Sequence, residues 1–262
     1  MFIVGKLISK KGLSKFNFPE KKDLSKTTID SILSPRVDPM DGENVYLSKE
    51  SKLVFDLWAK FVANFPTDKE LPGFPIWSHE WGATYPFEKT TPASMSFSDL
   101  KKYKGAYGRK INIFSINKAF DNCLPRYAKG EKFPEWKIIY IRKNREFYRK
   151  NKEYIDAFLK ENPSLYDFEF SWQKLEWSCH GASRTFDDKI IQFRPSGVRV
   201  KLSNWSPALT TVRTQNIYIP KIGRKLCLAE IARLQSMKLK HLPDIYDGNF
   251  IPNGGYRAFG NA

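Results

Sequence analysis

Cysteine is scarce: Cys123, Cys179 and Cys227 are the only three in 262 residues, and an odd number leaves one unpaired in any bonding scheme. That argues against a disulfide framework as the source of stability. Histidine is equally sparse, and His79, His180 and His241 stand apart from one another in the sequence, so no zinc-ligand spacing occurs. No apolar run approaches the roughly 18–20 residues needed to span a bilayer. The opening stretch MFIVGKLISKK has too short an apolar centre for a signal peptide and no small-residue cleavage site, so a cytoplasmic protein is expected. Acidic residues are in deficit: 28 Asp and Glu face 44 Lys and Arg, a net charge of +16. A surplus of that size favours a polyanionic partner, because each phosphate neutralised by Lys or Arg releases a counterion. The basic residues are spread among aromatics, which make up 15% of the chain, and are not gathered in a polybasic tail. That distribution favours nucleic acid over a lipid surface.

What is present reads as a mixture of helices and short strands. Phe2-Ile3-Val4-Gly5 suits a short buried strand, and residues 6–50 read as a Lys-, Ser- and Pro-punctuated excursion. Apolar residues at 53, 54, 57, 58, 61 and 62 predict a helix over 53–65. Residues 71–92, rich in proline and large aromatics, predict an irregular segment held by ring packing. A second helix is expected over 141–160, with Phe147, Tyr154, Ile155 and Phe158 on one side, ended by Asn162-Pro163. Val198-Arg199-Val200-Lys201 and Asn216-Ile217-Tyr218-Ile219 alternate as strands do, and a third helix is expected over 228–239.

The tail carries a family resemblance. Arg224-Lys225-Leu226-Cys227-Leu228-Ala229-Glu230-Ile231-Ala232-Arg233-Leu234-Gln235 resembles the ninth signature block of cytosine-C5 DNA methyltransferases, which reads Arg-x-Leu-Thr-x-x-Glu followed by Ala-Arg-Leu-Gln. Tyr256-Arg257-Ala258-Phe259-Gly260-Asn261-Ala262 is similar to the tenth block, Tyr-x-x-x-Gly-Asn-Ala. The stretch from Phe193 to Lys201, with Pro207-Ala208-Leu209-Thr210-Thr211, resembles the end of the family's target-recognition region, and Phe2-Ile3-Val4-Gly5 resembles the eighth block. The likeness covers nearly the whole chain but only the back half of the family's architecture. In the ninth block the family has a capping Thr where this chain has Cys227, and Glu230 keeps its place three residues on, as in a capping box. A thiol caps poorly, so the exchange is expected to cost roughly 0.5–2 kcal/mol locally.

The resemblance implies an α+β protein: a mixed recognition domain, together with an edge strand and a returning helix from an incomplete Rossmann-like methyltransferase domain. The expected divisions are 1–19 for the edge strand and its exit, 20–220 for recognition, and 221–262 for the ninth- and tenth-block segments. It implies double-stranded DNA as partner and S-adenosylmethionine as cofactor, with Gly260 and Asn261 supplying one wall of the cofactor site. DNA contact is expected from Arg194, Ser196, Arg199 and Lys201, which alternate along one predicted strand, and from Thr210, Thr211 and Arg213. Arg224, Glu230, Arg233 and Gln235 are expected to brace the recognition domain.

The family's chemistry needs a Pro-Cys thiolate to attack the flipped cytosine, a Glu-Asn-Val glutamate and a glycine-rich cofactor loop. Here the cysteines follow Asn122, Ser178 and Leu226, and no glycine-rich turn follows a buried strand. Glu43-Asn44-Val45 spells the glutamate motif, but it lies downstream of the eighth block and after a turn, so it reads as coincidence. The chain alone is therefore expected to be inactive, being either the reading half of a split methyltransferase from a restriction-modification system or a truncated remnant that binds DNA. A magnesium-dependent nuclease built on Asp167, Asp187, Asp188 and Lys189 is the less favoured alternative. The basic run 142–152 could follow a phosphate backbone or form a solvated helix face.

Overall fold

The computed structural model describes residues 27–35, 45–112, 115–209 and 217–237. The expected strand at Phe2-Gly5, the 1–19 segment and Glu43-Asn44 lie outside the described residues. The architecture is α+β, centred on one mixed sheet in the order β1-β2-β4-β3-β5-β6. Its strands are β1 (Ile76–Trp77), β2 (Lys174–Ser178), β3 (Lys189–Arg194), β4 (Gly197–Leu202), β5 (Ile217–Ile219) and β6 (Arg224–Lys225). β2 and β4 run parallel, and every other neighbouring pair is antiparallel. Tyr218 pairs with Lys225, so the sheet continues across residue 220 without a break.

Period-two alternation assigns the two faces of this sheet. Leu175 and Trp177 of β2, Val198 and Val200 of β4, and Ile191 and Phe193 of β3 are buried in one cluster with helix α1 (Lys49–Ala63) and helix α5 (Lys152–Glu161). On the other face, toward β5 and β6, Ile190, Ile217, Ile219 and Leu226 pack with Ile231 and Ala232 of helix α6 (Leu228–Leu234) and with Ile29. A third cluster joins Tyr85, Leu100, Ile111 and Phe120 to Ile141 of helix α4 (Glu135–Lys150). The short helices α2 (Phe97–Leu100) and α3 (Ile116–Asn122) lie along that stretch of chain.

The helices differ in extent from the periodicity, for local reasons. α1 begins four residues before 53 because the Ser48 hydroxyl accepts from the Ser51 N–H at 3.1 Å, and Leu53, at the edge of the apolar stripe, is exposed. The helix expected over 141–160 is two helices, α4 and α5, separated at Asn151. There φ is −123° and ψ 25°, and the buried side-chain amide donates to the Phe147 carbonyl at 2.9 Å. Asparagine competes with the helix by bonding nearby backbone, and the ladder is interrupted at this residue. α6 ends by Ser236, whose φ is +60°, and residues 238–239 lie outside the described residues.

Residues 71–92 are irregular as expected, with Trp81 and Tyr85 fully buried. Their anchor is Glu80, which is wholly buried. The hydroxyls of Tyr85 and Tyr127 both donate to its Oε1, and Arg145 Nε donates to Oε2 at 2.9 Å. Arg145 Nη1 also donates to the Tyr85 carbonyl at 2.8 Å, and its guanidinium lies 4.3 Å from the Tyr85 ring centroid. One buried ion pair thus fastens the loop segment to α4.

Removing one partner of a buried pair strands the other charge. Arg145→Ala is expected to cost about 3–5 kcal/mol, read as a lowered urea midpoint. Arg142→Ala, which breaks the exposed 2.7 Å pair with Glu88, should change stability by less than about 1 kcal/mol.

Candidate nucleic-acid interface

The residues that alternate with the buried ones on β2 and β4 are Lys174, Glu176, Ser178, Arg199 and Lys201. Register aligns them in rows: Glu176 lies beside Arg199, which lies beside Gln192, and Ser178 lies beside Lys201. A third row sets Gly197 opposite Arg194 and next to Lys174. Gly197 is required at that crossing. Its φ is +132°, and a Cβ there would sit 2.9 Å from Lys174 Cβ and 3.1 Å from the Lys174 carbonyl oxygen.

Glu176 collects the two arginines. Arg194 Nη2 donates to its Oε2 at 2.6 Å, and Arg199 Nε stands 2.8 Å from Oε1 as an ion pair. Burial alone would raise the carboxyl's pKa, but the guanidiniums of Arg199 and Arg194 outweigh it and hold the group below the usual range. Burial and the neighbouring Arg199 lower the pKa of Arg194. Lys201 Nζ lies 5.6 Å from the ring centroid of Trp205, an exposed tryptophan. Four cations thus share this face with one carboxylate. Arg194 Nε is buried without a hydrogen-bond partner among the described residues. The face is rich in donors and poor in acceptors, the chemistry that suits phosphate oxygens or guanine O6 and N7.

The expected single strand carrying Arg194, Ser196, Arg199 and Lys201 is instead a hairpin. Arg194 closes β3 opposite Gly197, and Pro195-Ser196 form the turn, because Pro195 cannot donate to a ladder and Gly197 adopts positive φ. The reversal still brings Arg194 and Arg199 to the same carboxylate, while Ser196 is exposed in the turn and apart from it. Thr210, Thr211 and Arg213 lie outside the described residues. The basic run 142–152 is largely paired: Arg142 with Glu88, Arg145 with Glu80, Lys150 with Glu146 and Lys152 with Asp156. Glu176 and Lys174 were not among the expected contacts, although the alternation in Lys174-Leu175-Glu176-Trp177-Ser178 carries the signal.

Arg224, Glu230 and Arg233 meet at a second buried hub. Arg224 forks onto Glu230 with bonds of 2.7 and 2.8 Å, and the Ser34 and Cys227 N–H groups donate to the same carboxylate at 2.7 and 2.8 Å. Arg224 also reaches the Ser34 carbonyl, and Arg233 reaches the Ser34 hydroxyl. Cys227 occupies the N-cap of α6, where the capping box forms, and Gln235 is the C-cap. Burial would raise the Glu230 pKa, and the bonds from Arg224, Ser34 and Cys227 pull it below the ordinary value.

The nuclease residues do not assemble. Asp167 lines a cavity of about 590 Å³, whereas Asp188 pairs with the buried Lys189, and among the described residues no group of three or more His, Cys, Asp or Glu is placed to hold a metal. Cys179 is buried and its thiol is pushed up to about 12 by burial, while His180 beside it is exposed. Cys123 and Cys179 are free thiols. Gly260 and Asn261, which the resemblance ties to S-adenosylmethionine, lie outside the described residues. The described glycines of positive φ (Gly82, Gly108, Gly181, Gly197 and Gly223) include none that opens an α-helix directly after a strand, so the described part does not by itself fit that cofactor. No described helix is long and apolar enough to cross a membrane.

Over 258 residues the chain is 26% identical to the type II methyltransferase M.AluI of Cellulosimicrobium cellulans, covering 96% of this chain and 48% of that protein. The chain is thus related to a methyltransferase and spans about half the length of that relative. No protein-family model and no solved structure matches it.

Both Glu176 and Glu230 have lowered carboxyl pKa values in the folded state. Their stabilisation is fully present above the unfolded carboxylate value of about 4.3 and is lost as pH falls through the folded values. Chemical denaturation at a series of pH values should therefore show stability falling below about pH 4, and Glu230→Gln should flatten that fall while lowering stability at neutral pH.

Proposed function

We propose that this chain is the DNA-recognition portion of a cytosine-C5 DNA methyltransferase of a restriction-modification system. The cationic sheet face carries the reading: Arg194, Arg199 and Lys201 stand on rigid strands beside Glu176, aligned where a duplex can be read. The kinship with a type II methyltransferase and the ninth-block residues at α6 support the same assignment. Pro-Cys is absent from the sequence, so the attacking thiolate, and most of the S-adenosylmethionine site, come from residues outside it. The chain's own part is to bind duplex DNA, set the register through phosphate contacts and present donors to base edges. Gly260 and Asn261 would close one edge of the cofactor site, and the segments 1–19, 20–220 and 221–262 keep the roles assigned to the incomplete Rossmann-like domain, the recognition domain and the bracing helix.

Glu176 has a definite part in this reading. It holds two guanidinium forks in place before DNA arrives, so less side-chain freedom is lost on binding. The Arg224–Glu230 hub holds α6 against β5 and β6, the far edge of the same sheet.

The test is methyl transfer from labelled S-adenosylmethionine to DNA, with the chain alone and mixed with the polypeptide encoded immediately upstream. Activity in the mixture only is expected, and activity from the chain alone overturns the assignment of the chemistry elsewhere. Duplex binding by the chain alone should fall steeply with salt, and Arg199→Ala or Lys201→Ala should each weaken it, reducing the slope by about one for a residue on phosphate. Salt-sensitive binding with no methylation in either case would mark a DNA-binding remnant, and magnesium-dependent cleavage would mark the nuclease.

A further inference from the structure

Lys137, in the first turn of α4, and Lys174, on β2, sit over neighbouring rings, because Tyr127 lies 5.7 Å from Trp77 and 5.9 Å from Phe170. Both rest on aromatic rings. Lys137 Nζ lies 5.0 Å from the Tyr127 centroid and 5.3 Å from that of Trp136, while Lys174 Nζ lies 4.5 Å from Phe170 and 5.1 Å from Trp77. Neither ammonium has a hydrogen-bond or ion-pair partner among the described residues, in contrast to Lys52, Lys60, Lys129 and Lys152, each of which faces a carboxylate.

The charge of Lys137 bears on Lys174. Burial, and then the charge of Lys137, push the Lys174 amine down to about 8, and burial lowers Lys137 as well. His79, which also faces Lys174, is held well below its ordinary value by burial and then by Lys174, and Tyr127, under Lys137, donates its hydroxyl to the buried Glu80. Glu176 on the same strand is occupied by Arg194 and Arg199. Lys137 also sits where the helix dipole favours an acid. Two uncompensated cations held together by the fold leave a place for one anion. Trp136, 54% exposed, stands edge-on to Trp77 at 6.5 Å and borders that place. Trp77 pairs with Lys174 across β1 and β2, so the spot continues the row of Lys174, Gly197 and Arg194 described above.

We propose that Lys137 and Lys174 together hold one backbone phosphate of bound DNA, with the exposed ring of Trp136 packed against the adjoining nucleotide. This rests on the reading of the sheet face as a DNA interface and extends that interface from β2 onto α4. Lysine binds phosphate as a point charge, and two can share the non-bridging oxygens of one diester. An anion between them offsets their repulsion, so binding draws Lys174 back to its charged form.

The experiment is fluorescence anisotropy of a labelled duplex with the full chain, across salt and pH, for wild type, Lys137→Met, Lys174→Met and the double variant. Because the two lysines share one phosphate, the double variant should lower the slope of log K against log salt by about 0.9, not twice that. In the wild type, affinity should fall as pH rises past about 8, since Lys174 must take up a proton to bind, and Lys174→Met should remove that fall. The wild-type pH profile needs no variant to fold: affinity that stays level from about pH 7 to 9.5 overturns the proposal. So do unchanged salt slopes in the lysine variants while Lys201→Ala still lowers its own, an outcome that leaves the DNA reading standing. A wild-type chain that binds no duplex sinks both.

Discussion

The burial of one face of the β2-β4-β3 ladder is the constraint on which the rest of this structure depends. Leu175, Trp177, Val198, Val200, Ile191 and Phe193 are pressed against a packed set of rings: Phe61 stacks on Trp81 at 5.4 Å and meets Phe158 edge-on at 5.0 Å. A slip of one residue in any of these strands would turn that apolar set outward, so the register is strongly fixed. With the register fixed, the intervening residues have no freedom of face either. Glu176, Arg199 and Lys201 stand on the opposite side because Trp177, Val198 and Val200 are buried. The hydrophobic pattern thus positions the charges, and the proposed interface inherits its register from the core.

Three carboxylates divide the remaining work according to their burial. Glu80 and Glu230 are wholly enclosed, and each is bound by an arginine together with neutral donors, which is the condition under which a buried charge is tolerable. Glu80 fastens the irregular 71–92 segment to α4, and Glu230 fastens α6 and the segment around Ser34 to the sheet edge. Glu176 differs in standing half-buried on the open polar face. It lowers the positive charge there, which weakens long-range attraction, and in exchange it orders two guanidiniums. In the proposed DNA-reading role, that trade favours discrimination over bare affinity, since a guanidinium already oriented loses less freedom when it meets a base edge.

How much of this was legible beforehand follows from the range of each interaction. The strands around 198–201 and 217–219 and the helix starting at Leu228 could be read because their cues are local: alternation in the first case, the Cys227 and Glu230 spacing in the second. The split at Asn151 was missed because apolar periodicity passes through it, and the interruption comes from a side-chain bond to Phe147 that composition does not display. The hairpin at Pro195-Ser196 was missed because the alternation of charge on either side imitates one strand. Glu176 was overlooked for another reason. Its partners lie 18 and 23 positions away, and only the parallel pairing of β2 with β4, a crossover in the topology, brings them together. The same holds for Lys137 and Lys174, which meet across elements with no common local pattern.

The composition alone implied a polyanionic partner without saying where it would bind, and the choice of partner for each cation supplies the location. A lysine facing a carboxylate is neutralised at short range and adds little to the field beyond a Debye length. A lysine resting on an aromatic face is also stabilised, but the ring carries a quadrupole and no net charge, so the cation's field survives. In this chain the exposed helical lysines of α1 and α5 are mostly of the first kind, as with Lys52, Lys60 and Lys152. Lys137, Lys174 and Lys201 are of the second kind, and all three border the polar side of the sheet. Interleaving aromatics with basic residues therefore does more than supply stacking surfaces. At Lys137, Lys174 and Lys201 it leaves cationic charge unneutralised beside the strands that align Arg194 and Arg199.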